Sequence, residues 1–125
     1  MLRLLLATAR PQSWQTFTAA LRSDPEVHLE YAASGAAALE AVRAGAPHLV
    51  IMDTGLPDTG PLPLVQKLLT VHAMVNTAVV SPLTETEFHE ASEGLGVLSR
   101  LPDTPGESEA VELLAKLKKV LGGTG

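Results

Sequence analysis

Short apolar runs alternate with amphipathic stretches five times along this chain. Leu2–Ala7 is almost unbroken leucine, the pattern of a strand covered on both faces. Pro11 can sit in the first turn of a helix reaching about residue 23, with Trp14, Phe17 and Leu21 on one face. Val27, Leu29 and Tyr31 alternate with His28 and Glu30, as in a half-exposed edge strand. Ser34 is a candidate N-cap for a helix over 36–44, and Gly45 suits the position after its end. Residues 49–52 form the most hydrophobic strand, which ends in Asp53.

Residues 54–60 are a loop by composition. Pro61 and Pro63 open a third helix that turns Leu64, Val65, Leu68 and Leu69 inward, and Ala78, Val79 and Val80 form a fourth strand ending at Ser81-Pro82. Thr84-x-x-Glu87 is a capping box for a helix to about Glu93, and Val97-Leu98-Ser99 reads as a fifth strand. A second box, Thr104-Pro105-Gly106-Glu107, opens a last helix whose apolar face is Ala110, Leu113, Leu114, Leu117, Val120 and Leu121. Glu112 and Lys116 are spaced as an i,i+4 pair, while Lys118 and Lys119 complement the helix C-terminus. The expectation is one domain over residues 1–121, with 122–125 a flexible tail or the start of a linker.

Five β–α units with right-handed crossovers imply an α/β fold: a flavodoxin-like, doubly wound, five-stranded parallel sheet in the order 2-1-3-4-5 with five helices. That order places ligand chemistry at the carboxyl ends of strands one and three.

Composition narrows the functional classes. A chain of 125 residues with 46% hydrophobic and 18% charged residues can bury a core, so disorder is not expected. With aromatics at 3%, that core must be aliphatic. The absence of cysteine removes disulfides and thiolate metal sites and fits a cytoplasmic protein. No apolar run is long enough to span a bilayer, and Met1-Leu2-Arg3 enters a strand directly, without a signal-peptide pattern. A net charge of −5, with Lys116, Lys118 and Lys119 the one basic cluster, argues against direct nucleic-acid binding. His28, His48, His72 and His89 are dispersed and show no metal-ligand spacing. The first strand is followed by no glycine, against a dinucleotide-binding turn.

The chemistry gathers at the strand exits. Strand one delivers Thr8-Ala9-Arg10, strand three Asp53, strand four Ser81, and strand five Ser99-Arg100. A carboxylate, a hydroxyl and a cation are thus expected on one rim. In the plainest reading Asp53 is a strand-end carboxylate bonded to loop amides or paired with Arg100, and Ser81 is a turn hydroxyl. Arg10 can bring positive charge to the rim but cannot hold a metal.

The segments Pro47-His48-Leu49-Val50-Ile51-Met52-Asp53 with Leu56-Pro57, Val79-Val80-Ser81, Ala91-x-x-Gly94 and Arg100-Leu101-Pro102 resemble the receiver domain of bacterial response regulators. The resemblance covers almost the whole chain. It implies that Asp53 takes the phosphoacceptor position, that Ser81 takes the hydroxyl position that closes on the phosphoryl group, and that Arg100 lies near the usual lysine position. It also implies a signalling protein or histidine kinase as partner, and a partner or homodimer face from about Thr84 to Leu121.

The chain departs from that family at its acidic pair, where Thr8-Ala9-Arg10 stands instead. Its 53–60 loop is a residue shorter than usual, its lysine-proline pair is broken, and Val97 stands where an aromatic switch residue is expected. Mg²⁺ takes six hard oxygen ligands, usually including one or two carboxylates, and phosphoryl transfer to an aspartate depends on it. The expected function is therefore that of an atypical receiver, or pseudo-receiver. It would work by protein–protein interaction without Mg²⁺-dependent phosphorylation, with no enzymatic role, cofactor, metal, nucleic-acid or membrane contact of its own. The alternative is a working phosphorelay receiver, phosphorylated on Asp53 by a histidine kinase through a reduced Mg²⁺ site. A third class is a small-molecule-binding domain using the same rim.

Overall fold

A computed structural model describes residues 1–122. Five parallel strands, β1 (Leu2–Ala7), β2 (Val27–Ala32), β3 (Leu49–Met52), β4 (Asn76–Val80) and β5 (Ser99–Leu101), form one sheet in the order β2-β1-β3-β4-β5. The helices are α1 (Gln15–Arg22), α2 (Gly35–Ala44), α3 (Pro61–Val71), α4 (Glu85–Ala91) and α5 (Glu107–Gly122). Fold class, strand order and helix number are those read from the sequence.

Strand alternation sorts the core into two layers. Leu4, Leu6, Leu49, Ile51, Ala78, Val80 and Leu101 face α1 and α5, where Trp14, Phe17, Leu21, Leu113 and Leu117 cover them. Leu5, Ala7, Val50, Met52 and Val79 face the other way, under Val42, Leu64, Leu68 and Phe88. Because β1, β3 and β4 are covered on both sides, they read as continuous apolar runs rather than alternating ones.

Capping chemistry sets the starts of α2 and α4. Ser34 caps α2 by accepting from the Ala37 N–H, and Thr84 with Glu87 completes the capping box of α4 in both directions. Asp58 adds a second cap to α2, its two carboxylate oxygens accepting from the Gly35 and Ala36 N–H groups at 2.8 and 2.9 Å. A side chain at position 35 would run into the Thr59 Cγ2 methyl, so glycine allows this close approach.

Several expectations shift. The segment from Pro11 enters as a 3-10 turn, Pro11–Trp14, before α1 begins. Gly45 follows α2 with φ 178, an extended conformation open to any residue. The α4 helix ends at Ala91 rather than near Glu93. The α5 helix begins at Glu107, so the Thr104 box does not form; Glu109 instead accepts from the Gly106 N–H at 2.6 Å. Val120 and Leu121 are 55% and 43% exposed, beyond the reach of the sheet, and Leu69 is half-buried. Lys116 bonds to Ser99 rather than to Glu112, and Lys118 pairs with Asp24 at the end of α1. Gly122 belongs to α5, and the rest of the expected flexible end, 123–125, lies outside the described residues.

The shift of β5 matters most for the site. It pairs as Ser99–Leu101 rather than Val97–Ser99, because Gly94 and Gly96, both at positive φ, turn the chain just before it. Leu101, 2% exposed, is the residue that enters the core beside Val80. Arg100 therefore lies within the strand and not at its exit.

Candidate functional site

Thr8 and Asp53 are the polar ends of two adjacent apolar rows. Leu4, Leu6 and then Thr8 share one face of β1 and its exit; Leu49, Ile51 and then Asp53 share the same face of β3. Both arrive at the sheet rim beneath the 3-10 turn that carries Trp14. The Asp53 side chain is fully buried there, yet it is a charged group, so its surroundings must supply hydrogen bonds.

They supply five. Oδ2 accepts from the Thr8 hydroxyl at 2.7 Å, from the Arg10 Nε–H at 2.8 Å and from the Trp14 Nε1–H at 3.1 Å. Oδ1 accepts from the Arg10 Nη2–H at 2.9 Å and from the Thr54 N–H at 2.8 Å. A carboxylate offers about four lone-pair directions, so both oxygens are saturated. The Arg10 guanidinium grips side-on with two parallel bonds, the geometry in which arginine exceeds lysine. Its Nη2 also donates to the Asp103 carbonyl at 2.8 Å and to the Asp103 carboxylate at 3.2 Å, tying in the loop after β5.

Charge follows from this geometry. Burial pushes the Asp53 pKa up, but the bonds from Arg10, Thr8 and Trp14, together with the Arg10 charge, outweigh it and hold the carboxyl below the usual carboxylate range. The same bonding from Asp53 raises Arg10, against a smaller loss from burial. Asp53 and Arg10 are thus a partly buried ion pair, with the arginine side chain 31% exposed and the aspartate closed off.

The other two sequence candidates stand apart. Ser81, at the exit of β4, is buried, and its Oγ accepts from the Leu83 N–H at 3.2 Å as a turn hydroxyl. Arg100 does not pair with Asp53, which corrects the expected partner. In β5 it sits opposite Val79, whose side faces α4, whereas Asp53 belongs to the α1 side. A one-residue change of register turns a strand residue to the opposite face of a sheet. Arg100 Nη1 instead reaches the Ser81 carbonyl at 3.4 Å.

Thr8, Trp14 and Asp103 were not among the sequence candidates. The sequence places Trp14 on an apolar helix face, and a tryptophan buried there needs a partner for its N–H, which the structure supplies in Asp53. The bonding to Asp103 carries no comparable signal in the sequence.

A magnesium ion of the kind receiver domains use does not fit these residues. Mg²⁺ needs open carboxylate oxygens, and here both Asp53 oxygens are taken by protein donors, with a guanidinium lying against them. Among the described residues, no three Asp, Glu or His side chains are grouped to hold a metal ion. Nor is any described helix long and apolar enough to cross a membrane.

No protein-family model matches the chain. No curated protein sequence matches it either. Solved structures do. A CheY-like response regulator receiver domain protein from Methanospirillum hungatei superimposes with a TM-score of 0.83 at 16% identity, covering 100% of this chain and 99% of that one. The chemotaxis response regulator CheY4 of Vibrio cholerae gives 0.80 at 16% identity, covering 94% and 98%. The response regulator domain of Thermotoga maritima CheB gives 0.78 at 21% identity, covering 98% and 97%. At such identities the likeness is one of architecture, and it spans whole chains on both sides: this protein has the fold of the CheY-like receiver domains of two-component response regulators.

Proposed function

We propose that this chain is an atypical receiver domain of two-component signalling, a single unit over residues 1–121 that acts in the cytoplasm by protein–protein recognition, without Mg²⁺-dependent phosphorylation of Asp53. One observation carries the reading: five protein donors saturate the carboxylate that would have to attack a phosphoryl group. An attacking oxygen needs a free lone pair in line with the leaving group, and the product would add about −1.5 to −2 of charge. Reaching that state requires breaking the side-on Arg10 pair inside a closed site. Ser81, held in its turn, and Arg100, on the far face of the sheet, bring no help to Asp53.

The likeness to receiver structures supports a signalling partner, and the surface from Thr84 to Leu121 is the proposed partner or homodimer face. It presents the firmly capped α4 and, from α5, Lys116. The test is chemical. After incubation with Mg²⁺ and acetyl phosphate, intact-mass measurement should find no phosphoryl adduct. An acid-labile adduct that disappears in Asp53→Asn would establish the alternative, a working phosphorelay receiver served by a histidine kinase.

A further inference from the structure

Freed from Asp53, Arg100 lines a groove of about 500 Å³ between α4, β5 and α5. Its guanidinium is poorly satisfied. Among the described residues it makes one hydrogen bond, the 3.4 Å contact to the Ser81 carbonyl, and its Nε is buried with no partner. Lys116 lines the same groove, and its ammonium group bonds to the Ser99 hydroxyl at 3.3 Å. Arg3, Arg10, Arg43 and Lys118 each have a carboxylate within ion-pair distance; among the described residues Arg22, Lys67, Arg100, Lys116 and Lys119 have none, and of these Arg100 and Lys116 line this groove. Two cations without anionic partners therefore share one concave surface. One part of its wall is apolar: Phe88 is buried, and Val97 and Leu98 are half-buried.

We propose that this groove binds a small organic anion, a carboxylate or phosphate on an apolar body about the size of one ring. The acid group would lie against Arg100 and Lys116, with the body over Phe88, Val97 and Leu98. The size suits such a ligand, since small-molecule pockets run from about 300 to 1,000 Å³. Arginine's planar fork is matched to both acid groups. Ser99 Oγ already accepts from Lys116, which leaves its own hydrogen to donate to the ligand. Glu85 is the one carboxylate among the lining residues, and it opposes the anion. The inference is independent of whether Asp53 is phosphorylated, because Arg100 and Asp53 lie on opposite faces of the sheet.

The test is a titration of the full chain, followed by amide resonances at about 0.15 M salt, where the screening length is about 8 Å. The probes are phenyl phosphate and benzoate, with benzamide as the neutral control. Saturable shifts at Phe88, Ser92 and Leu98 to Arg100 are expected with at least one acid. Arg100→Gln and Lys116→Gln should each weaken binding about tenfold, the scale of a lost charged hydrogen bond. Lys116 is exposed, so its variant keeps the fold even if Arg100→Gln does not. Glu85→Gln should tighten binding about two- to three-fold. The proposal is overturned by an absence of saturable shifts with both acids, by equal binding of benzamide, or by affinities unchanged in Lys116→Gln. Shifts produced only by an acidic peptide, and not by either small acid, would also overturn it, making the groove part of a protein interface.

Discussion

Arg10 holds Asp53 by two parallel hydrogen bonds, at 2.8 and 2.9 Å, and with the same Nη2 reaches the Asp103 carbonyl at 2.8 Å. One guanidinium thus joins the chain exits of β1, β3 and β5 at the sheet rim. A positive group belongs beside a buried carboxylate, and here the Arg10 side chain supplies one.

Removing that cation should be costly. Breaking a buried pair by deleting one partner costs about 3–5 kcal/mol, and Arg10→Ala should cost about 3 kcal/mol because water can reach part of the vacated space. Denaturant unfolding should show the loss. In the double variant Arg10→Ala/Asp53→Asn the losses should be non-additive by about 1–3 kcal/mol. Additive losses would mean that the two side chains are energetically independent.

Acid should weaken the fold through the same site. Asp53 has its carboxyl held below the unfolded value of about 3.9. Its contribution is therefore fully present above that pH and is lost as pH falls through the lower folded-state value. Asp58, held low by the N–H groups of Gly35 and Ala36, acts in the same direction. Stability measured from pH 6 down should drop below about pH 4, and the drop should be shallower in Asp53→Asn. Parallel curves for the two proteins would remove Asp53 from the titration.

Trp14 is the sole tryptophan, and its indole N–H points at Asp53 Oδ2. Trp14→Phe keeps most of the apolar contact but loses that donor, for an expected cost of about 1–2 kcal/mol. The tryptophan is also an internal reporter: its emission should be blue-shifted and should move red when Arg10→Ala loosens the site. An emission maximum unmoved by Arg10→Ala would show that the turn and the ion pair are not coupled.

Where the start of α2 meets the loop after β3, Gly35→Ala should destabilise by about 1–3 kcal/mol through overpacking against Thr59 Cγ2. Thr59→Ser removes that methyl, so it should recover much of the loss in the double variant. No recovery would place the strain at Asp58 instead.

The sequence discloses the architecture because each layer has a local cause. Unbroken leucine in β1 reports burial on both faces, Ser34 and Thr84 mark helix starts by their own hydrogen bonding, and the strand order follows from repeated β–α crossovers. Asp53 was visible as a polar residue ending an apolar strand. Arg10 was visible as a positive charge on the same rim, but its pairing with Asp53, and the approach of Trp14, were not, because the two lie 43 and 39 positions away and meet Asp53 only after β1 and β3 pair. Arg100 misled for a related reason. Val97 and Leu98 are more apolar than Ser99 and Arg100, yet pairing with β4 and the burial of Leu101 decide the register, and the register decides the face.

The central claim, that Asp53 is sealed by protein donors and closed to phosphoryl chemistry, is tested most directly with Mg²⁺ and beryllofluoride. Amide resonances of Thr8, Asp53, Thr54 and Ser81, together with Trp14 emission, should stay unchanged across the titration. Saturable shifts at those amides that vanish in Asp53→Asn would contradict it.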